Sequence, residues 1–119
     1  MGFISVKIYI HNPEEPARCR EVTLLVDTGA MYSIVPAKIL QDLGIKPLWR
    51  RSFTLANGQR IERNLGGALY RYKEYGGHAP LIFGEEDDQL VLGVTALEAM
   101  GLEVDPVTKQ LKPTELLLL

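Results

Sequence analysis

The sequence predicts a mainly-β domain with two short helices. Three observations carry that expectation: apolar residues alternate with polar ones near the N-terminus, an Asn-Gly pair sits between two extended stretches, and only two stretches have helix start and stop signals. Ile4, Val6, Ile8 and Ile10 alternate with Ser5, Lys7 and Tyr9, which gives a first strand with one apolar face. His11 to Pro16, with two prolines, reads as a polar turn. A second strand runs from about Arg18 to Val26. Its apolar run Val22–Val26, broken only by Thr23, suits a strand covered on both faces.

The first helix is expected over Pro36 to Leu43, with Pro36 at its first position and Gly44 just past its end. Ser52–Ala56 and Gln59–Arg63 flank Asn57-Gly58, which predicts a hairpin closed by a type I′ turn. Further strands are expected at Leu65–Tyr72 and Pro80–Phe83, separated by Tyr75-Gly76-Gly77-His78, and at Leu90–Leu92. The second helix should begin after Thr95, with Thr95 and Glu98 spaced as a capping box and Gly101 closing it. Leu102–Val104 and Gln110–Lys112 read as a closing hairpin around Asp105-Pro106-Val107-Thr108.

Composition bounds the function. The 119 residues amount to one domain, 1–119, without internal repeat or linker. Charged residues make up 24% and hydrophobic ones 46%, as in globular proteins, so disorder and collagen-like repeats are excluded. Fifteen acids against thirteen bases leave a net charge of -2, which speaks against a nucleic-acid partner. No apolar run approaches the ~20 residues of a membrane helix, and Met1–Lys7 lacks a signal-peptide core, so no membrane partner and a cytoplasmic, reducing setting are expected. Cys19 is the sole cysteine. With only His11 and His78 beside it, neither a disulfide nor a metal centre is expected.

The chemistry concentrates in Leu24-Leu25-Val26-Asp27-Thr28-Gly29-Ala30. An apolar strand delivers a carboxylate to its end and then turns sharply at Gly29. Two such loops face to face would place two carboxylates side by side. Their repulsion makes the pair hold one proton, so that one member deprotonates water while the other protonates a carbonyl oxygen. Taken alone, Asp-Thr-Gly is also a plausible turn tripeptide.

The wider pattern resembles the retropepsin-like aspartic proteases, in their cellular, prokaryotic-type form. The resemblance spans roughly residues 3 to 113. It rests on the apolar strand into Asp27-Thr28-Gly29-Ala30, the hairpin around Asn57-Gly58, and Val91-Leu92-Gly93 followed by a helix. It implies a closed or partly open acid-protease β-barrel with one or two short helices, assembled as a two-fold homodimer. It implies an endopeptidase with Asp27 as the catalytic residue and a peptide or protein as substrate, without cofactor or metal. Thr28, Gly29, Ala30 and Gly93 would support the active-site loop, and Asn57 and Gly58 would lie near the tip of a substrate-covering flap. Residues 113–119, ending in four leucines, would be a dimer-interface or tail segment.

Two departures are evident. Where retroviral enzymes often carry a pairing Asp and Arg, this chain has Met31 and Val94. Only one Asp-Thr-Gly is present, and Asp42, Asp87, Asp88 and Asp105 are not followed by Thr-Gly or Ser-Gly, so a dyad needs a second chain. The competing reading is a non-catalytic peptide-binding or dimerisation module on the same scaffold. Asp27-Thr28-Gly29 is also similar to phosphotransferases with a nucleophilic Asp, but a second Asp two residues on and a nucleotide loop are missing.

Other residues read more simply. Glu85-Glu86-Asp87-Asp88 lacks the ligand spacing of a calcium loop and reads as a solvated acidic loop. His78 reads as a surface loop residue, and Cys19 as a buried or semi-exposed apolar one. Trp49 reads first as a core or interface residue and second as a pocket wall.

Overall fold

A computed structural model describes residues 4–119. The reading of the N-terminal segment falls partly on Met1–Phe3, outside the described residues. Nine strands and two helices follow one another: β1 (Ser5–His11), β2 (Cys19–Val26), β3 (Ser33–Pro36), α1 (Ala37–Asp42), β4 (Trp49–Thr54), β5 (Arg60–Tyr72), β6 (Tyr75–Gly84), β7 (Val91–Leu92), α2 (Val94–Met100), β8 (Leu102–Asp105) and β9 (Gln110–Pro113). The mainly-β expectation with two helices therefore holds.

Seven strands form one sheet in the order β1-β2-β7-β3-β6-β5-β4, while β8 and β9 pair apart as a hairpin. β1 also pairs with β5, through Tyr9–Arg71, Ile10–Tyr70 and His11–Leu69, so the ladder returns on itself. The core is what alternation demands. Val6, Ile8 and Ile10 of β1 point inward with Val22, Leu24 and Val26 of β2, and Val35, Tyr70, Leu81 and Leu92 complete the packing. The polar turn after β1 is held by buried Asn12. Its Oδ1 accepts the Glu14 and Glu15 amides at 2.8 and 3.2 Å, and its Nδ2 donates to the Leu43 carbonyl at 2.8 Å.

Several local expectations are corrected. β2 is not covered on both faces: Thr23 is exposed and Leu25 half-buried, because β2 alternates like β1 beside it. β3 has no counterpart in the expected elements. Its four residues are too few to show a period, and it exists because β6 and β7 flank it. β5 runs unbroken through both stretches expected as separate strands, and Tyr75–His78 begin β6 instead of separating strands. The actual turn is Lys73-Glu74, between paired Tyr72 and Tyr75.

The β4–β5 hairpin does not close on a type I′ turn. Only Gly58 has positive φ, at 86°, while the Gly58 amide donates to the Leu55 carbonyl at 2.9 Å and the Leu55 amide to the Gln59 carbonyl at 2.8 Å. This is a three-residue loop with its left-handed residue last, a form that Asn-Gly serves equally well. Pro36 is the N-cap of α1 and not its first helical residue. The predicted stops hold: Gly44 and Gly101 take φ of 77° and 68° just past the two helices. Cys19 is exposed at the start of β2, not sheltered.

Candidate active site

Asp27 follows β2 directly, and its amide donates to the Leu92 carbonyl of β7 at 3.0 Å. The carboxylate then builds its own turn. Asp27 Oδ1 accepts the Gly29 amide at 2.9 Å, and the Asp27 carbonyl accepts the Ala30 amide at 3.1 Å. β7 pairs parallel with β2 through Leu25–Val91 and Val26–Leu92, and antiparallel with β3 at Ile34–Val91. The chain from 27 to 32 must therefore cross over β7 to reach β3.

That crossing explains Gly93. A Cβ there would lie 2.6 Å from the Tyr32 carbonyl carbon and 2.8 Å from its oxygen. The Gly93 amide donates to Oγ of fully buried Ser33 at 2.9 Å, so the contact is hydrogen-bonded as well as tight. Burial pushes the pKa of the neighbouring Tyr70 hydroxyl up, an effect the Ser33 hydrogen bond opposes, and Tyr70 donates to the Pro80 carbonyl at 3.1 Å.

α2 begins at once, with Gly93 as its N-cap and no side-chain cap. The capping box at Thr95 and Glu98 does not form. The Val94 amide donates to the Ala30 carbonyl at 2.8 Å and the Thr95 amide to the Met31 carbonyl at 3.2 Å, so the loop itself satisfies the helix terminus. Met31 is 62% exposed and Val94 half-buried, and at the two positions that depart from the viral pattern each backbone bonds a neighbour of the other, Ala30 and Thr95.

Asp27 and Ala30 line a cavity of about 620 Å³. Its roof is one face of the β4–β5 hairpin: Phe53 and Leu55 from β4 and the loop, Gln59 and Ile61 from the returning side. Phe53 meets Tyr32 edge to face, with ring centroids 6.4 Å apart. Asn57 and Gly58 occupy the hairpin tip and do not line the cavity. Asn57 Oδ1 instead accepts the Gln59 amide at 2.9 Å. Thr28 and Gly29 are exposed in the single chain.

The far wall is a fork-on-fork ion pair. Arg63 Nε and Nη2 donate to Asp88 Oδ2 and Oδ1 at 2.7 and 2.9 Å, with both side chains about 15% exposed. Asp88 also accepts the Glu85 amide at 2.8 Å, so this end of the acidic loop is a structural joint more than a solvated run. The Arg63 hydrogen bonds hold the Asp88 carboxyl below the ordinary carboxylate range, against its partial burial. The sign follows. A depressed carboxyl contributes stability above its ordinary range, and that contribution disappears as pH falls through the folded-state value. Asp88→Asn is expected to cost about 2 kcal/mol at pH 7 and to flatten the loss of stability below about pH 4. Thermal melts from pH 2.5 to 7 check this; parallel wild-type and variant curves would contradict it.

Sequence patterning had a signal for Leu55 and Ile61, because alternation around Asn57-Gly58 puts them on one face. It had none for Ser33, or for Arg63 with Asp88, which are 25 residues apart. Among the described residues no cluster of three or more His, Cys, Asp or Glu side chains is placed to hold a metal. No described helix is long and apolar enough to cross a membrane.

A family profile for aspartyl proteases matches residues 6–67, just over half of the chain. The chain belongs to the aspartyl protease family, of the retropepsin-like kind. No curated protein matches it at a significant level. The stretch matched to the aspartyl proteases holds the Asp27 loop and the β4–β5 hairpin, and stops before Gly93 and α2. Membership points to peptidase chemistry on a peptide substrate.

Proposed function

We propose that the protein is an aspartic endopeptidase whose active unit is a two-fold homodimer, with Asp27 of each protomer as the catalytic residue. The observation that carries this is Asp27 at the floor of a cavity roofed by the β4–β5 hairpin. The roofed cavity also favours catalysis over a mere binding module, since holding a peptide under the hairpin has no need of a carboxylate at the cavity floor.

Asp88 lines the same cavity, but Arg63 holds it ionised and doubly hydrogen-bonded. It has no proton to share, and Asp87, which also lines the cavity, lies exposed on the acidic loop, so the second member of the dyad is assigned to Asp27 of the partner chain. A water between the two Asp27 carboxylates attacks the peptide carbonyl. One carboxylate takes its proton while the other protonates the carbonyl oxygen; the first then gives the proton it took from water to the leaving amine as the C–N bond breaks. Ionisation of both members removes the acid, so the rate falls towards neutral and alkaline pH.

Thr28 tying the two loops together, Gly29 approaching substrate through its backbone, and Asn57 and Gly58 leading a closing flap fit this assembly. The returning ladder of β1 to β7 is read as the partly open barrel of one domain, 1–119. The dimer also needs an apolar contact. Leu116 to Leu119 are all largely exposed in the single chain, and such an apolar run favours being covered. On this reading specific activity falls on dilution, and replacing Leu117 and Leu119 by Ser moves that fall to higher concentration. Activity and sedimentation measured over the same dilution series check it. A monomer with full activity would overturn the shared dyad.

The test of the function is cleavage of a peptide library from pH 4 to 8, read by mass spectrometry for wild type and Asp27→Asn. Products from the wild type alone support the aspartic mechanism. No products from a folded, dimeric wild type would favour the peptide-binding module.

A further inference from the structure

We propose that the substrate surface continues past the Asp27 cavity into its neighbour, which selects a large apolar residue beside an acidic one, three to five residues from the bond that is cut. This rests on the peptidase reading above. The neighbouring cavity, of about 560 Å³, is walled by Tyr32, Leu48, Trp49, Leu65 and Pro80, with Arg51 as a charged lining group.

The two cavities share one roof. Strand alternation puts Trp49, Arg51 and Phe53 on the same face of β4, with Ile61, Arg63 and Leu65 opposite on β5. Phe53, Ile61 and Arg63 cover the Asp27 cavity, while Trp49, Arg51 and Leu65 cover the next. The Tyr32–Phe53 edge contact lies at the step between them. From Phe53 to Trp49 the strand advances about 14 Å, which is also the reach of about four residues of extended peptide. A peptide paired along this hairpin therefore leaves the Asp27 cavity and enters the second.

The occupant follows from the lining. The volume admits two adjacent side chains of an extended peptide, and the walls are mostly apolar. Trp49 and Leu48 are 64% and 65% exposed, so Trp49 is a pocket wall and not a core residue. No acidic side chain lines this cavity, in contrast to Asp27, Asp87 and Asp88 in the first. Arg63 is bound by Asp88 and Arg50 lies 3.6 Å from Glu62, but Arg51 has no acidic partner among the described residues. A carboxylate on the incoming peptide supplies that partner. In a two-fold dimer each end of the substrate meets one such cavity, so acidic–apolar flanks on both sides of the bond are favoured.

The test is a random dodecapeptide library cut by wild type and by Arg51→Glu, a change at an exposed position. In wild-type products Asp and Glu should be enriched about fivefold beside a large apolar residue, three to five positions from the cut. With Arg51→Glu the enrichment should invert to Lys and Arg, while the residues either side of the bond stay the same. Identical flanks for both proteins overturn the inference and leave the peptidase reading standing. If the wild type cuts nothing, that reading fails and binding decides the inference separately. Trp49 is the sole tryptophan, so its emission reports the cavity. A peptide with Leu-Asp ahead of an alanine–serine core should shift that emission at a midpoint about fivefold lower than its Leu-Lys counterpart, with the order reversed for Arg51→Glu. Equal or absent responses overturn it.

Discussion

Asp27→Asn will fold, dimerise and cut no peptide. The substitution keeps an oxygen at the position of Oδ1, which accepts the Gly29 amide at 2.9 Å, so the turn that shapes the loop survives. What it removes is the capacity to hold and release a proton. On the proposed mechanism neither half of the dyad can then deprotonate water or protonate the carbonyl oxygen, and the rate should fall at least about a thousandfold. The measurement is cleavage by both proteins at pH 5, beside thermal melts and sedimentation. Retained cleavage would place the chemistry elsewhere. A lost dimer would mean that Asp27 contributes to assembly as well.

Gly93→Ala is expected to have the largest effect on stability. The added methyl would meet the Tyr32 carbonyl carbon at 2.6 Å and the Met31 oxygen at 2.9 Å. These atoms belong to the backbone of the very segment that carries Asp27 across β7, so they cannot rotate away as a side chain could. Separating the layers also stretches the Gly93 amide from buried Ser33 and the Val94 amide from Ala30. The cost should reach about 3 kcal/mol, or a fall of about 10 °C in Tm. Activity should fall with it, since the loop over Gly93 is the one that positions Asp27. Circular dichroism melts beside peptidase assays read both. An unchanged Tm would show that the loop does not press on position 93.

The two substitutions probe different levels of the same loop. The Asp27 turn is made by residues one to three apart, so it was legible as a motif: strand, carboxylate, glycine. Gly93 was placed beneath that loop only through the family resemblance. Its physical reason, the crossing over β7, needs the pairing of β7 between β2 and β3. β3 itself was missed for the same reason, since four residues carry no readable period and its partners lie far along the chain. The capping box failed because helix-start chemistry was supplied from outside the helix, by the carbonyls of Ala30 and Met31. The Asn57-Gly58 hairpin was correctly located with the wrong turn, since both turn forms use glycine at positive φ.

By itself the sequence determined the local elements: the inward face of β1, the glycine stops of both helices, the carboxylate at the end of β2, and the family to which these belong. Each depends on contacts within a few residues, where alternation and turn chemistry leave few choices. The tertiary structure alone decided which strand separates β2 from β3, why position 93 admits no side chain, that Arg63 pairs with Asp88, and that one hairpin face roofs two adjacent cavities. Those facts depend on how segments far apart in the chain close against one another. Many closures share the same local pattern, and packing without overlap selects among them.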